Sequence, residues 1–380
     1  NDGWYTISSP LAANINASDV DYLLDGEFDL YRYDEPTHYW ENYEDAEDAE
    51  GPNNTDWDNN SAVIEKGRGY LYANGDDKQL SFAGELNVAE VTTTLSAQAQ
   101  KLIGFNLLGN PFAHNIYKGV AFSGNLADAH YTLNYHGEWQ VVTSENPIKS
   151  GAGFLVQATT DGANLTISKT NAQTRAAANS MLAVTVVNNV FEDVAYVSFN
   201  DGIGLEKIGH MNEYAPMVYI PGDFNNYAYA TVEEDVTEVP VNFEAMTMGE
   251  YTIAVKAKNC EYKTMVLVDN LTGEETNLLK DSYTFMATTT DDPDRFVIKL
   301  AKDAEVEDSF IYINNGELIF DNLSSDAIIN VFDVLGRNVA TFNNCGDTTF
   351  RVSTDLFADG VYMVRVIEGN NVKVQKMVIE

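Results

Sequence analysis

Apolar and polar residues alternate along most of this chain in short runs, broken by Gly, Asn, Asp and Pro. A period of two turns one face of a strand to a core and the other to solvent. Leu182, Val184 and Val186 share one such face, and Val194–Phe199 forms another run. Further runs cover Val239–Met248, Tyr251–Ala257, Thr264–Val268 and Phe296–Leu300. Near the end, Tyr362, Val364 and Val366 alternate with Met363 and Arg365. Abundant aromatic and β-branched residues between Gly-Asn-Asp turns complete the signature of an all-β chain.

Turn chemistry sets the expected connections. Asn200-Asp201-Gly202, Asn270–Gly273 and Glu368-Gly369-Asn370-Asn371 each read as hairpins, because Gly and Asn accept positive φ. Tyr283 and Phe285 read as a core-facing pair. Val372 and Val374 share a face, but the apolar phase slips at Lys376-Met377, which predicts a bulge there. Pro216, Pro221 and Pro240 mark strand ends or edges. Thr170–Ser180 is small, polar and Ala-rich, and Lys302–Asp308 is short and charged; both read as linkers. The expected architecture is a set of tandem β-sandwiches. Residues 1–170 form an internally duplicated sandwich, 181–301 a jelly-roll-like one and 309–380 an Ig-like one.

The duplication is visible as ordered matches. Gly3-Trp4-Tyr5-Thr6-Ile7-Ser8-Ser9-Pro10 recurs as Gly104-Phe105-Asn106-Leu107-Leu108-Gly109-Asn110-Pro111. Leu30-Tyr31-Arg32-Tyr33, a turn and Trp40 answer to Leu133-Asn134-Tyr135, a turn and Trp139. Gly67-Arg68-Gly69-Tyr70-Leu71 answers to Gly151-Ala152-Gly153-Phe154-Leu155. Neither half offers enough strands to bury its aromatics alone, so the halves are expected to pack as one pseudo-symmetric sandwich.

Trp40 and Gly67 lie 27 positions apart and their counterparts only 12, so the first half holds an insertion of 15 residues within Glu44–Asn60. Its acidity predicts a solvated surface loop. A second reading is a calcium loop: Asn54, Asp56, Asp58 and Glu65 fall at positions one, three, five and twelve of that spacing. Asn54 replaces the usual Asp and Asn59 the usual Gly, and the flanks read as strands rather than helices. No other cofactor is expected. Tyr31, Tyr33, Tyr39, Trp40, Tyr43 and Trp57 crowd near this loop. Exposed aromatics beside carboxylates grip sugar rings by stacking; aromatics alternating into a sandwich core do no such thing. Tyr31 and Tyr33 share a face and read as core. Trp57, with Tyr43 and Trp40, is the candidate contact surface.

The totals narrow the function. Lys+Arg number 22 against 58 Asp+Glu, a net charge of −36. Such a surface repels nucleic acid and anionic lipid. No run approaches the apolar length of a transmembrane helix. The start, Asn1-Asp2-Gly3-Trp4, sits almost inside a strand and reads as a mature or excised fragment. Cys260 and Cys345 fall in different expected modules and read as free thiols. The five His show no ligand spacing, and no Gly-x-Ser-x-Gly, His-Glu-x-x-His or phosphate loop occurs. Carboxylate pairs are inevitable in so acidic a chain and assign no glycosidase.

The last 70 or so residues carry a more specific pattern: Val331-Phe332-Asp333-Val334-Leu335-Gly336-Arg337-Asn338-Val339, then Leu356 with Gly360-Val361-Tyr362, then Lys376-Met377-Val378-Ile379. This stretch resembles the C-terminal sorting domain of proteins exported by the type IX (Por) secretion system of Bacteroidetes. The matched positions Asp333, Gly336, Arg337, Gly360, Tyr362 and Lys376 stand for the sorting motif. Leu267–Gly273, Leu278-Leu279, Tyr283-Thr284-Phe285 and Arg295-Phe296 resemble the β-sandwich that often precedes it in Bacteroidetes surface proteins. The resemblance implies a secreted, surface-attached protein whose terminal domain meets the secretion and attachment machinery. It also implies a cut near Lys302–Asp308 and a lipid-linked sugar anchor. The expected class is non-enzymatic: an adhesin-like fragment facing an unknown host or cell-surface protein or glycan. The alternative is a carbohydrate-binding accessory region of a larger secreted enzyme.

Overall fold

The computed structural model describes residues 3–43, 62–99, 101–117, 125–143, 147–168, 180–302, 310–314, 316–321, 323–344, 346, 349–369 and 371–379. They fall into two compact units, 1–302 and 303–380. Both are built of β-strands, apart from two single turns of 3₁₀ helix among the described residues.

The first unit opens with two copies of one motif. The first copy holds β1 (Tyr5–Ile7), β2 (Ile15–Asn16), β3 (Phe28–Asp34), β4 (Tyr39–Asn42), β5 (Val63–Ile64), β6 (Tyr70–Asn74) and β7 (Val91–Thr94). The second holds β8 (Phe105–Gly109), β9 (Ile116–Tyr117), β10 (His130–Leu133), β11 (Trp139–Val142), β12 (Pro147–Ile148), β13 (Gly153–Gln157) and β14 (Asn164–Ile167). The strand orders agree: β1-β6-β3-β4 repeats as β8-β13-β10-β11, and the pair β2-β5 repeats as β9-β12. The last strand of each copy, β7 and β14, pairs with the other across the divide.

Strand register corrects one expected match. Tyr31 faces Leu71, and Tyr131 faces Leu155. Tyr31 therefore answers to Tyr131, and Leu30 to His130 rather than to Leu133. Tyr33 pairs with Trp40 and Leu133 with Trp139, so the second copy's turn is one residue shorter. A match made on aromatic identity slides along that length change.

Glycine holds the copies together. The end of β1 bridges to the start of β13 (Ile7 to Ala152), and the end of β8 bridges to the start of β6 (Leu108 to Arg68). The same bond occurs twice, from Ser8 N–H to the Gly151 carbonyl at 2.9 Å and from Gly109 N–H to the Gly67 carbonyl at 2.9 Å. The relation is a pseudo-two-fold. Gly67 and Gly151 both take positive φ, +81° and +72°. A Cβ on Gly69 would lie 2.4 Å from the Leu108 carbonyl oxygen, and one on Gly109 would lie 2.3 Å from Ser8 Cβ. No side chain fits there.

A second sandwich completes the unit. Its strands are β15 (Met181–Val187), β16 (Glu192–Phe199), β17 (Leu205–Glu206), β18 (Met217–Pro221), β19 (Asn226–Val232), β20 (Glu238–Glu244), β21 (Gly249–Lys258), β22 (Thr264–Asp269), β23 (Glu274–Asn277), β24 (Tyr283–Ala287) and β25 (Phe296–Ala301). The order β23-β22-β25-β20-β18-β19-β16-β15-β21-β24 is continuous. Strand β18 pairs with β20 through Met217–Tyr219 and with β19 through Ile220 and Pro221, so it links both layers. Val184, Val186 and Val197 share one core with Leu267, Ile298 and Leu300 from the opposite layer. The hairpin Asn270–Gly273 forms, with Gly273 at φ +75°. The Asn200–Gly202 hairpin does not. Strand β16 pairs antiparallel with β15 and parallel with β19, and the turn leads instead into β17. Tyr283 and Phe285 are buried and stacked, ring centroids 5.8 Å apart. Arg295 grips Asp269 with two bonds of 3.0 and 2.7 Å, and Tyr283 Oη donates to the same carboxylate. A buried bidentate pair of this kind demands all its partners.

The two sandwiches of the first unit share a layer. Phe105, Leu107, Tyr131, Trp139 and Leu155 from the second copy bury against Leu205, Ile208, Ala228 and Tyr229. The other face of the same sheet packs Leu108, Phe154 and Val156 against Phe112, Ile148 and Leu165. Strand β13 is therefore buried along its whole length. A buried polar knot fastens the junction. Asp193 takes Lys207 Nζ, the Val218 N–H at 2.7 Å and His210 Nε2 at 3.4 Å. His210 Nδ1 accepts the Trp139 N–H at 3.0 Å, across the junction. Tyr131 Oη also crosses, donating to the Glu206 carbonyl at 2.7 Å. Burial would raise the Asp193 carboxyl, but the Lys207 charge and His210 hold it down to about 2.

The second unit is a two-layer sandwich. One sheet runs β26 (Ile311–Asn314), β27 (Glu317–Asp321), β30 (Thr349–Ser353); the other runs β29 (Asn338–Asn343), β28 (Ile328–Asp333), β31 (Gly360–Glu368), β32 (Asn371–Ile379). Leu318, Phe320, Ile329, Val331, Val364 and Val366 fill the core. The expected bulge at Lys376-Met377 is absent: β31 and β32 pair without a shift from Gly360–Ile379 to Glu368–Asn371. Val372, Val374 and Val378 are exposed, while Met377 and Ile379 face the core. Gln375 is on that inner face too, donating to the Ile311 carbonyl of the other sheet at 3.0 Å. A register shift does occur, between Val331 and Phe332 against β29.

Two predictions follow from the packing. Gly109→Ala should lower stability by about 3 kcal/mol or more, because backbone cannot move aside. Gly249→Ala, where no atom lies within 4 Å of the new Cβ, should cost under about 1 kcal/mol. Thermal unfolding of the full chain reads both. Asp193 has a folded pKa below its unfolded value, so its contribution of about 2 kcal/mol is present above about pH 4 and fades towards pH 2. In Lys207→Met the carboxylate stays buried without its cation, so its folded pKa is displaced upward and part of the stability lost near pH 7 should return on acidification. Denaturant titrations at stepped pH check that displacement.

Candidate functional site

The sorting-motif residues build one end of the second unit. Asp333 closes the turn between β28 and β29. Its Oδ1 accepts the N–H groups of Leu335 and Arg337, both at 3.0 Å, and its Oδ2 takes the Arg337 guanidinium at 2.6 Å. Gly336 supplies φ +75° in that turn. These bonds hold the Asp333 carboxyl below its usual range, the Arg337 bond foremost. Val334 and Leu335 are both 74% exposed, as is most of Arg337, so the turn displays its side chains instead of packing them. Tyr362 is buried with Oη donating to the Ala358 carbonyl at 2.7 Å, and its ring packs on Phe357. Gly360 opens β31, and a Cβ there would meet only ordinary contacts. Lys376 lies opposite Met363, on the outer face of the sheet.

The aromatic group expected near the insertion is divided. Trp40 is half-buried and packs on Tyr33, centroids 5.0 Å apart, in the core shared with the second sandwich. Tyr43 packs on Phe28 at 6.3 Å, in the first copy's own core. Trp57, Asn54, Asp56 and Asp58 lie outside the described residues, as do Cys345 and residues 303–309 of the expected cut region. Glu65 is described and pairs with Arg68 at 3.6 Å. Among the described residues no group of three or more His, Cys, Asp or Glu could hold a metal ion. Cys260 is a free, half-buried thiol.

Two clefts flank the pseudo-two-fold, and the repeat relates one pair of their walls. One, of about 510 Å³, runs between β8 and residues 65–68; the other, of about 440 Å³, runs between β1 and residues 149–152. Corresponding positions have diverged: Asn106 matches Tyr5, Glu65 matches Lys149, and Arg68 matches Ala152. Sequence reasoning missed both clefts. Their only trace was the paired Gly-x-Gly segments, which mark where backbones meet.

The terminal geometry and one comparison converge. Residues 308–380 match the family described as a secretion system C-terminal sorting domain. No curated protein matches the chain. A solved structure titled "Biofilm associated protein - BSP domain" is similar over 100% of this chain and 90% of that one, at 10% identity and a TM-score of 0.15. That score is too low to define a shared fold. The class is thus an exported protein built of β-sandwiches. More particularly, it ends in a type IX sorting domain, which directs secretion and attachment at the cell surface. No helix among the described residues is long and apolar enough to cross a membrane.

Removing the Tyr362 hydroxyl as Tyr362→Phe should cost about 1 kcal/mol, since the Ala358 carbonyl loses its donor. Asp333→Ala should speed hydrogen exchange at the Leu335 and Arg337 amides and leave that of β31 unchanged. Lowering the pH through the depressed Asp333 pKa should reproduce that loosening in the unaltered chain.

Proposed function

We propose that residues 1–302 are a non-enzymatic adhesion or interaction passenger, which the sorting unit places on the cell surface. The observation that carries this reading is where the passenger's polar investment lies. Its most perturbed carboxylate, Asp193, is buried and tied to Lys207, His210 and the Val218 amide. Another buried carboxylate, Glu35, accepts the N–H groups of Gln98, Ala99 and Gly104. Catalytic carboxylates keep oxygens open to substrate, whereas those of Glu35, although it lines a cleft, are filled by backbone N–H groups. Here the buried ones rigidify a broad two-sandwich body. The −36 charge keeps such a body dispersed outside the cell.

The partner is a host or cell-surface protein or glycan, and the terminal unit engages the secretion and attachment machinery. A reporter fused to residues 303–380 should leave a host with a working type IX pathway; a reporter held in the periplasm contradicts the sorting half. Beads coated with the whole chain should adhere to cells. Absence of adhesion by a folded chain contradicts the passenger half.

A further inference from the structure

We propose that the cleft between β1 and residues 149–152 binds a short neutral oligosaccharide, with Tyr5 as its stacking platform. This rests on the adhesion reading and names its ligand class. The argument comes from the duplication, which gives the two clefts one corresponding pair of walls, β8 with residues 65–68 and β1 with residues 149–152.

In the β8-side cleft most of the polar groups are occupied by the protein itself. The Asn106 amide donates to the Ser96 and Gly104 carbonyls and accepts the Ser96 N–H. The Arg68 guanidinium rests on the Tyr33 carbonyl at 3.0 Å and on Glu65. The Glu35 carboxylate is filled by backbone N–H groups. A ligand would have to displace these bonds, each already made in a partly buried setting.

The β1-side cleft is different. Tyr5 is 53% exposed, and its ring lies over Gly3, where an added Cβ would stand 3.2 Å from Cε2. Glycine therefore lets the ring lie at the cleft wall. Tyr72 sits opposite Tyr5 on β6, and its hydroxyl accepts from Asn74 Nδ2 at 3.0 Å, which keeps its own proton free to donate. Asp77 and Lys149 are exposed and make no side-chain hydrogen bond or ion pair among the described residues. The site thus offers a flat aromatic face, a phenol donor, a carboxylate acceptor and an ammonium donor in about 440 Å³. That volume falls in the range of small-ligand sites.

This set matches a sugar ring. The ring's C–H face stacks on an aromatic, and its hydroxyls both donate to a carboxylate and accept from an ammonium. A nucleotide or polyanionic glycan would meet Asp76 and Asp77 beside Lys78 and Lys149, a lining with no net positive charge, on a strongly negative body. A lipid chain would leave those charges without partners.

The test uses the full chain and a panel of neutral hexose di- to tetrasaccharides, read by array and then by calorimetry. At least one should bind. Tyr5→Ala should weaken it about tenfold or more, and Asp77→Ala and Lys149→Ala about threefold each. Tyr5→Phe keeps the ring and should stay within about threefold. Tyr135→Ala, an exposed aromatic outside the cleft, should change nothing. Circular dichroism confirms that each variant folds. Saccharide binding that ignores Tyr5→Ala overturns the cleft. No saccharide binding, with adhesion of chain-coated beads intact, overturns the ligand class and leaves the adhesion reading standing. Loss of both, in a folded chain, overturns the adhesion reading itself.

Discussion

Everything in the first unit depends on how closely two backbones approach at the pseudo-two-fold. Ser8 and Gly109 are equivalent residues. Each donates to the carbonyl of an equivalent glycine in the opposite copy, both at 2.9 Å. The approach leaves no room for a Cβ on Gly69 or Gly109. Once those main chains touch, the two sheets are held at a defined separation. β7 and β14 can then pair, and the Phe154 and Phe105 faces of one sheet lie ready to be covered from both sides. Backbone bonds across a symmetry axis count twice, since each has a partner of the same geometry. Divergence at side chains, such as Tyr5 against Asn106, leaves that frame untouched.

The shared layer extends the constraint to residue 302. Strand β13 is buried on both faces, so the duplicated motif and the sandwich after it cannot be separated without exposing Tyr131, Trp139 and Leu155. Burying large apolar side chains contributes about 2 kcal/mol apiece, enough to make the junction part of the core. The Asp193–Lys207–His210 knot adds direction to that adhesion. A buried ion pair gains little net energy over an apolar contact but tolerates only one alignment. Its His210 bond to the Trp139 amide sets the sandwiches in one register.

The second unit solves a separate problem. Its turn at Asp333–Arg337 is over-bonded by its own Asp and Arg, yet Val334 and Leu335 stand in solvent. Rigid backbone under exposed apolar side chains is what a recognition element needs, because little ordering entropy is lost on docking. The outward valines of β32 continue the same theme on the sheet's outer face. The second unit thus presents exposed apolar side chains on a rigid turn.

The sequence by itself determined the strand class, the duplication and the sorting signature. Each rests on local chemistry: a period of two, Gly and Asn at turns, and a compact motif in the last 73 residues matched to its family. Tertiary structure alone decided which way strands turned and what met across space. The local pattern predicts a bulge at Lys376-Met377, but β32 pairs without a shift, so Val372 and Val374 share the solvent face while Gln375, Met377 and Ile379 share the inner one. Asn200–Gly202 looked like a hairpin, but β16 found a parallel partner in β19. Trp40 and Tyr43 looked like one patch and belong to two cores. His210 and Lys207, unremarkable in the chain, meet Asp193 only when the second sandwich folds, and His210 reaches Trp139 only when the two sandwiches dock. Local propensity is written residue by residue. Long-range contact depends on which faces compete for the same buried space, and that competition is resolved only in three dimensions.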